Sequence, residues 1–460
     1  MSAVIVDRFA EFVAAAPSMR LAPAVAHAAK RCVVDWFAVA IPGGEVAPAT
    51  LLTQALLAES VGGRAMVLPS GRKQSVRNAA LINGAASHTL EFDDIYRDAV
   101  FHPGVVVIPP ALAAAQGAQS NGERFLRAVV AGYEVANRIG AAVTPAHYEY
   151  WHTTGTVGTF GAAAAAAAVL GLDAEQTANA LANAGTFAAG LQQAFRSDSM
   201  SKPLHAGRAA ETGVLVAAAA AKGVTGARDI LEGARGFAAA MVGEVDWEKA
   251  LEGLGTDFTI VRTTQKNHSA CGHSHAAIDG VLALSAEHGI AADEVRTLRV
   301  GTYAKALEVT GNRDPKTAFE AKFSLTYCVA AALLTGRVRL DAFTPERLRD
   351  AALRALMDRI ETFVDEDADA RFPHGRGAVV EIETTNGARH RTEVMTRKGD
   401  PDNPLSDAEI EDKYRELVTP VIGAERAETL LALLWRIDEL DDISALPFGA
   451  AQTKLAATAD

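Results

Sequence analysis

Residues 155–172 read GTVGTFGAAAAAAAVLGL. This is the most apolar window in the chain, and by length alone it fits a membrane span. Its composition points elsewhere. Alanine and glycine make thin faces that let helices approach closely, so the spacing predicts a tightly packed core helix in a large bundle. The flanking sequence repeats the signature. Residues 4–15, 22–40, 47–60, 75–92, 110–120 and 122–142 follow helical periodicity, as do 174–188, 203–222 and 227–232. An aromatic content of 6% agrees with thin, close packing.

The pattern changes near Phe258. Residues 295–303, 378–384 and 390–396 alternate as strands do, and Asn386-Gly387 sits between the last two as a hairpin signal. Helical stretches at 275–287, 318–334 and 345–360 intervene. Residues from 407 to about 437 read as helix again. The expected fold is therefore mostly α. A large all-helical domain, residues 1–260 plus 405–460, carries an inserted smaller α+β lid domain, residues 261–404.

Composition narrows the function. The chain has 460 residues, is 49% hydrophobic and 22% charged, and carries a net charge of -12. It can bury a large core. An acidic chain offers no basic footprint for nucleic acid, and an anionic substrate needs a local cationic pocket. Three cysteines make no disulfide framework, and the first residues lack a basic n-region with an apolar run. A cytoplasmic protein without a membrane partner is expected.

Four loops share one layout: a titratable residue on constrained backbone just before an apolar helix. They are His102-Pro103, His152-Thr153-Thr154, Lys202-Pro203 with His205 close behind, and Cys271-Gly272-His273-Ser274-His275. Helix starts carry unpaired N–H groups and partial positive charge. If these starts converge, they form a carboxylate pocket with Lys202 as charge partner and the histidines as proton carriers. Each residue taken singly has a plainer role. His152 reads as a capping or packed histidine, Lys202 as a solvated lysine, Tyr327 as core, and Asp93 with Arg97 as an i,i+4 ion pair.

Three sharper motifs fail. Asp93, Asp94 and Asp98 in DDIYRD match an aspartate-rich magnesium motif, but a second metal motif is missing. Ser199-Met200-Ser201-Lys202 matches S-x-x-K without its K-T-G partner. His268, Cys271, His273 and His275 have irregular spacing for zinc. With neither a G-x-G-x-x-G nor a P-loop, no metal and no nucleotide cofactor is expected.

In order along almost the whole chain, several segments resemble the MmgE/PrpD family. These are HTLEFDD (88–94), His102-Pro103-Gly104, GTVGTFGAAAAAAAVLGL (155–172), SKPLHAGRAAETGVLVAAAAAKGVTG (201–226), ACGHSHAAIDG (270–280) and AKFSLTYCVAAALLTG (321–336). The family includes 2-methylcitrate dehydratase, cis-aconitate decarboxylase and iminodisuccinate epimerase. The resemblance implies a homodimer with a cleft between helical domain and lid. It also implies cofactor-independent chemistry beside a carboxylate of a small di- or tricarboxylate. It places His102, His152, Lys202, Cys271 and Tyr327 in catalysis. Glu91, Asp93, Asp94, His205, His273 and His275 fall to substrate binding. The chain departs from family habit at Glu91, commonly Asp. It departs from decarboxylase-like members at Ile95, where they carry Thr, and at Cys271, where they carry His. Dehydration of a 2-methylcitrate-like substrate leads the expectations. Epimerisation with Cys271 as acid, cis-aconitate-type decarboxylation, and a carboxylate binder that has lost catalysis are the alternatives.

Overall fold

The computed structural model describes residues 4–57, 62–195, 197 and 199–448. By internal contacts the chain divides into two compact units. Unit 1 comprises residues 1–89, 93–263 and 406–460; unit 2 comprises 90–92 and 264–405.

Unit 1 is built around the Gly158–Leu170 helix, whose residues 158–169 are all buried. The window 153–170 is 94% buried inside the protein, which accounts for its apolarity without a lipid phase. The helices Gly104–Ala118, Gly122–Val143, Ala174–Thr186 and Ser201–Ala220 surround it. Small residues set the spacing. A Cβ on Gly207 would lie 2.4 Å from the carbonyl oxygen of Leu81, so the 201–220 helix lies directly on the Val76–Ser87 helix. The tail rejoins this unit. Lys413, on the Asp407–Ile422 helix, donates to Asp35 Oδ1 at 2.7 Å from the Pro23–Gly43 helix, and both side chains are buried.

Unit 2 holds a four-stranded sheet in the order β4-β3-β5-β6, with β3 Val295–Thr302, β4 Ile360–Val364, β5 Ala378–Thr384 and β6 Arg389–Val394. β3 runs parallel to β4 and antiparallel to β5, and β5 and β6 form an antiparallel pair. Gly387 takes φ +89° in the turn, the conformation the Asn-Gly signal calls for. The helices His275–His288, Leu325–Thr335 and Ala351–Met357 supply one side of its apolar core with Val295, Leu298, Val300, Val380 and Ile382.

Several elements differ from expectation. The helix expected over 75–92 stops at Ser87. Beyond it Thr89 Oγ1 donates to the carbonyl of Ala85, and Glu91 sits at φ +56°. The helix expected from 110 begins at Gly104, with Pro109 and Pro110 inside it. Residues 227–232 form turns, since glycines at 223, 226, 233 and 236 leave too short a run to nucleate a helix. The 318–334 stretch breaks where Ser324 accepts from the N–H of Tyr327. The 345–360 stretch breaks where Asp350 caps the 351–357 helix, and its end becomes β4. The 47–60 helix is described as Ala49–Leu57; its last expected residues lie outside the described ones. A short hairpin, β1 Ala65–Val67 with β2 Arg72–Gln74, was not expected.

Candidate functional site

In unit 1 the early end of the 76–87 helix decides what the following loop can do. His88 is its first non-helical residue and is completely buried. Its Nδ1 lies 2.8 Å from Asp93 Oδ2, and His102 Nδ1 lies 2.9 Å from the same oxygen. His102 Nδ1 also lies 2.8 Å from the carbonyl oxygen of Asp94. A carbonyl only accepts, so His102 carries its proton on Nδ1 and keeps Nε2 as the basic atom when neutral. The His102 backbone N–H donates to Thr154 Oγ1 at 3.3 Å, joining this loop to the one after Trp151.

Asp94 faces a different set of partners. Tyr133 donates its hydroxyl to Asp94 Oδ2 at 2.7 Å, and the Gly104 N–H donates to Oδ1 at 2.9 Å. Burial, with the charges of Asp35 and Asp93, pushes this carboxyl up to about 7 against the pull of those two donors. The N-terminus of the 104–118 helix is thus capped from within the protein. At this helix start the Gly104 N–H is taken by the Asp94 carboxyl, because the loop folds back over the helix. Glycine is required at 104, where a Cβ would lie 2.8 Å from Asp94 Oδ1 and 2.9 Å from the Tyr133 hydroxyl.

His152 precedes the short Thr153–Thr156 helix and is buried. Its Nδ1 lies 3.0 Å from Nδ1 of His205, one turn into the 201–220 helix, so one of the two carries a proton there and the other accepts. Burial, then the charges of His88, His205, Lys202 and His102, holds His152 well below the ordinary imidazole range. Burial and Lys202 lower His205 as well. Lys202, in the first turn of the same helix, is 4% exposed. The expected residues His102, His152, Lys202, His205, Asp93 and Asp94 therefore gather in unit 1. Two residues given no role from sequence join them: His88 and Tyr133. His88 was visible in the HTLEFDD motif; Tyr133 had no signal, lying in an amphipathic helix.

Unit 2 holds the remaining expected residues, and most are committed to its own architecture. Tyr327 is fully buried, donates its hydroxyl to the Ala342 carbonyl at 2.6 Å and packs against Phe343. His275 donates from Nε2 to the carbonyl of Ala270 at 3.1 Å. His273 Nδ1 lies 2.6 Å from the Tyr303 hydroxyl, and burial with the charges of Arg376 and Arg397 holds this imidazole well below its usual range. The Cys271 N–H donates to the Lys322 carbonyl, and the residue is buried. Glu91 meets Lys266, also buried, which donates to the Glu91 carbonyl at 3.0 Å and lies 3.6 Å from its carboxylate. Lys266 was missed from sequence because an isolated lysine in QKNHSA carries no local signal.

Among the described residues, His268, Cys271, His273 and His275 form no three-ligand cluster. His268 pairs with Asp279 instead, at 2.8 Å. Of the aspartate-rich segment, Asp94 faces Tyr133, and Asp98 lies 3.7 Å from Arg97. His88, Asp93 and His102 do lie within mutual reach of one centre. In this arrangement both rings meet Asp93 Oδ2 through Nδ1.

Residues 7–250 match the MmgE/PrpD N-terminal domain, and residues 268–439 match the MmgE/PrpD C-terminal domain. The chain belongs to the MmgE/PrpD family. Among relatives, it is 28% identical to a cis-aconitate decarboxylase-like protein of Aspergillus oryzae over 92% of each chain. It is 26% identical to the human cis-aconitate decarboxylase over 80% of this chain and 78% of that one. Against the mouse cis-aconitate decarboxylase the identity is 24% over 80% and 77%. The two family domains carry the two groups of residues just described: 88–205 falls in the first match, and 271–327 in the second.

Proposed function

We propose that this MmgE/PrpD chain is a lyase acting on a small di- or tricarboxylate by proton transfer at a carbon next to a carboxylate. The observation that carries the reading is the half-buried His102 on the Asp93 carboxylate and the buried His152 hydrogen-bonded to His205, with Lys202 on the same helix as His205. Proton carriers beside a fixed cation suit a reaction that builds negative charge next to a carboxylate.

In this reading Lys202 pairs with a substrate carboxylate, and a neutral histidine takes the α-proton. His102 is the first candidate, because its Nδ1–H is fixed and its Nε2 lone pair is the basic atom. The electron pair left by the broken C–H bond forms the new C=C bond. A hydroxyl on the neighbouring carbon leaves as water, taking its proton from the His152–His205 pair in its singly protonated, cationic form and leaving both rings neutral. Dehydration of a 2-methylcitrate-like substrate is the leading form. The relatives' names favour a second form, in which carbon dioxide leaves and a histidine protonates the resulting carbanion. Epimerisation, with the Cys271 thiol returning a proton to the other face, is a third. The working assembly is proposed to be a homodimer, to be read from its mass in solution by light scattering.

The test is a panel of citrate, 2-methylcitrate, cis-aconitate and iminodisuccinate incubated with the protein in D₂O and followed by NMR. The expected result is turnover of one of them with deuterium at the carbon next to a carboxylate. The product names the form: loss of water, loss of carbon dioxide, or inversion. Binding without turnover or exchange would leave a carboxylate-binding protein and overturn the lyase reading.

A further inference from the structure

Among the described residues, His88 is the ring that meets both candidate proton carriers. It is completely buried at the end of the 76–87 helix. Its ring lies parallel to that of His152, with centroids 5.5 Å apart and planes at 12°. It also lies edge-on to His102, with centroids 4.8 Å apart. Through Nδ1 it reaches Asp93 Oδ2, the oxygen that also serves His102. One carboxylate thus answers two imidazoles, and one of those imidazoles stacks on a third.

We propose that His88 is a positioning residue that fixes Asp93 for His102 and couples the charge on that side to His152, so that the two proton carriers hold opposite protonation states. The proposal rests on the reading of His102 and His152 given above. Its physical basis is charge counting. Asp93 offers one negative charge to two imidazoles, so a single imidazolium is compensated there and a second is not. When the compensated proton sits on the His88–Asp93–His102 side, the parallel His88 ring places positive charge against His152 and keeps it neutral. When His152 takes a proton, repulsion drives the other side towards neutrality. An acid and a base are thereby separated within one group of side chains.

Two further groups make a proton on His152 easier to give up. Lys202 and His205, on the 201–220 helix, act on His152 with the same sign as His88. From the 122–143 helix Tyr133 engages Asp94, and from the 23–43 helix Asp35 acts on Asp94. Asp35 and Asp94 also face Asp93 as like charges.

The experiment uses the full chain with His88→Phe and His88→Asn. The first removes the charge and the donor and keeps a flat ring; the second removes the charge and keeps an N–H donor for Asp93. Titration of ¹⁵N-labelled histidines by NMR, assigned with His152→Asn, needs no substrate. The expected result is a His152 midpoint raised by roughly one unit in both variants. With any carboxylate the wild-type protein turns over, kcat falls about tenfold or more in His88→Phe while KM moves less than about threefold, and His88→Asn recovers part of kcat. The acid limb of the kcat profile moves with the NMR midpoint. An unchanged His152 midpoint in either folded variant overturns the proposal, and His88→Asn decides alone if the Phe variant does not fold. Absence of turnover by the wild-type protein counts against the lyase reading and leaves the titration to judge the coupling.

Discussion

Two histidine-bearing loops of this protein carry opposite meanings. Residues 88–103 end one helix and lead into another; residues 268–275 lead into the helix of unit 2. In the second loop each ring has its own structural partner: His268 has Asp279, His273 has Tyr303, and His275 has the Ala270 carbonyl. In the first loop two rings share one carboxylate oxygen, and one of them stacks on a third ring. Shared partners leave protons mobile, whereas private partners fix them. The number of titratable residues in a motif therefore says less about chemistry than how their partners are divided.

The comparison breaks first at His102. His102→Asn is expected to lower turnover about 10²- to 10⁴-fold while the thermal melt stays close to wild type; a loss under tenfold would move the chemistry elsewhere. Gly104→Ala strikes the same loop from beneath, forcing a Cβ against Asp94 and Tyr133, and is expected to cost about 1–3 kcal/mol in denaturant unfolding along with much of the activity. On the other side, His268→Ala should cost roughly 1–3 kcal/mol of stability through the partner it strands at Asp279, with turnover per folded molecule changed by less than about tenfold.

Asp94 sharpens the contrast through pH. Its carboxyl is raised to about 7 in the fold, so between the unfolded value of 3.8 and 7 the native state holds the extra proton. The stability linked to that proton is complete below 3.8 and is lost as pH rises through 7. Asp94→Asn should remove this component, so its Tm should decline less than that of the wild type between pH 5 and 7.5. The smallest effect belongs to Tyr327→Phe. With the hydroxyl donated to the Ala342 carbonyl, the expected cost is about 1 kcal/mol of stability and under threefold in kcat. A loss above a hundredfold would support the catalytic role that the family resemblance implies for Tyr327.

Much of this was readable in the chain. The alanine run at 155–172 and the Asn386-Gly387 turn report local preference directly, and the fold follows them. His102, His152, Lys202 and His205 stood out because proline, threonine and helix-start signals flank them. What stayed hidden depends on contacts remote in sequence. The 76–87 helix ends where it does through Thr89 and the backbone at Glu91, so His88 passed for a helical residue. Tyr133 reaches Asp94 across 39 residues, and its helix pattern marks it only as buried. Periodicity also joined helices that Ser324 and Asp350 divide, since a cap works by turning one side chain back on the chain.

The buried Lys413–Asp35 pair has a consequence for the order of events during synthesis. Asp35 is enclosed in the 23–43 helix, and its cationic partner is made nearly four hundred residues later. A carboxylate left in that position without its lysine costs several kcal/mol. The 23–43 helix can therefore complete this buried ion pair only once the 407–422 helix has been made.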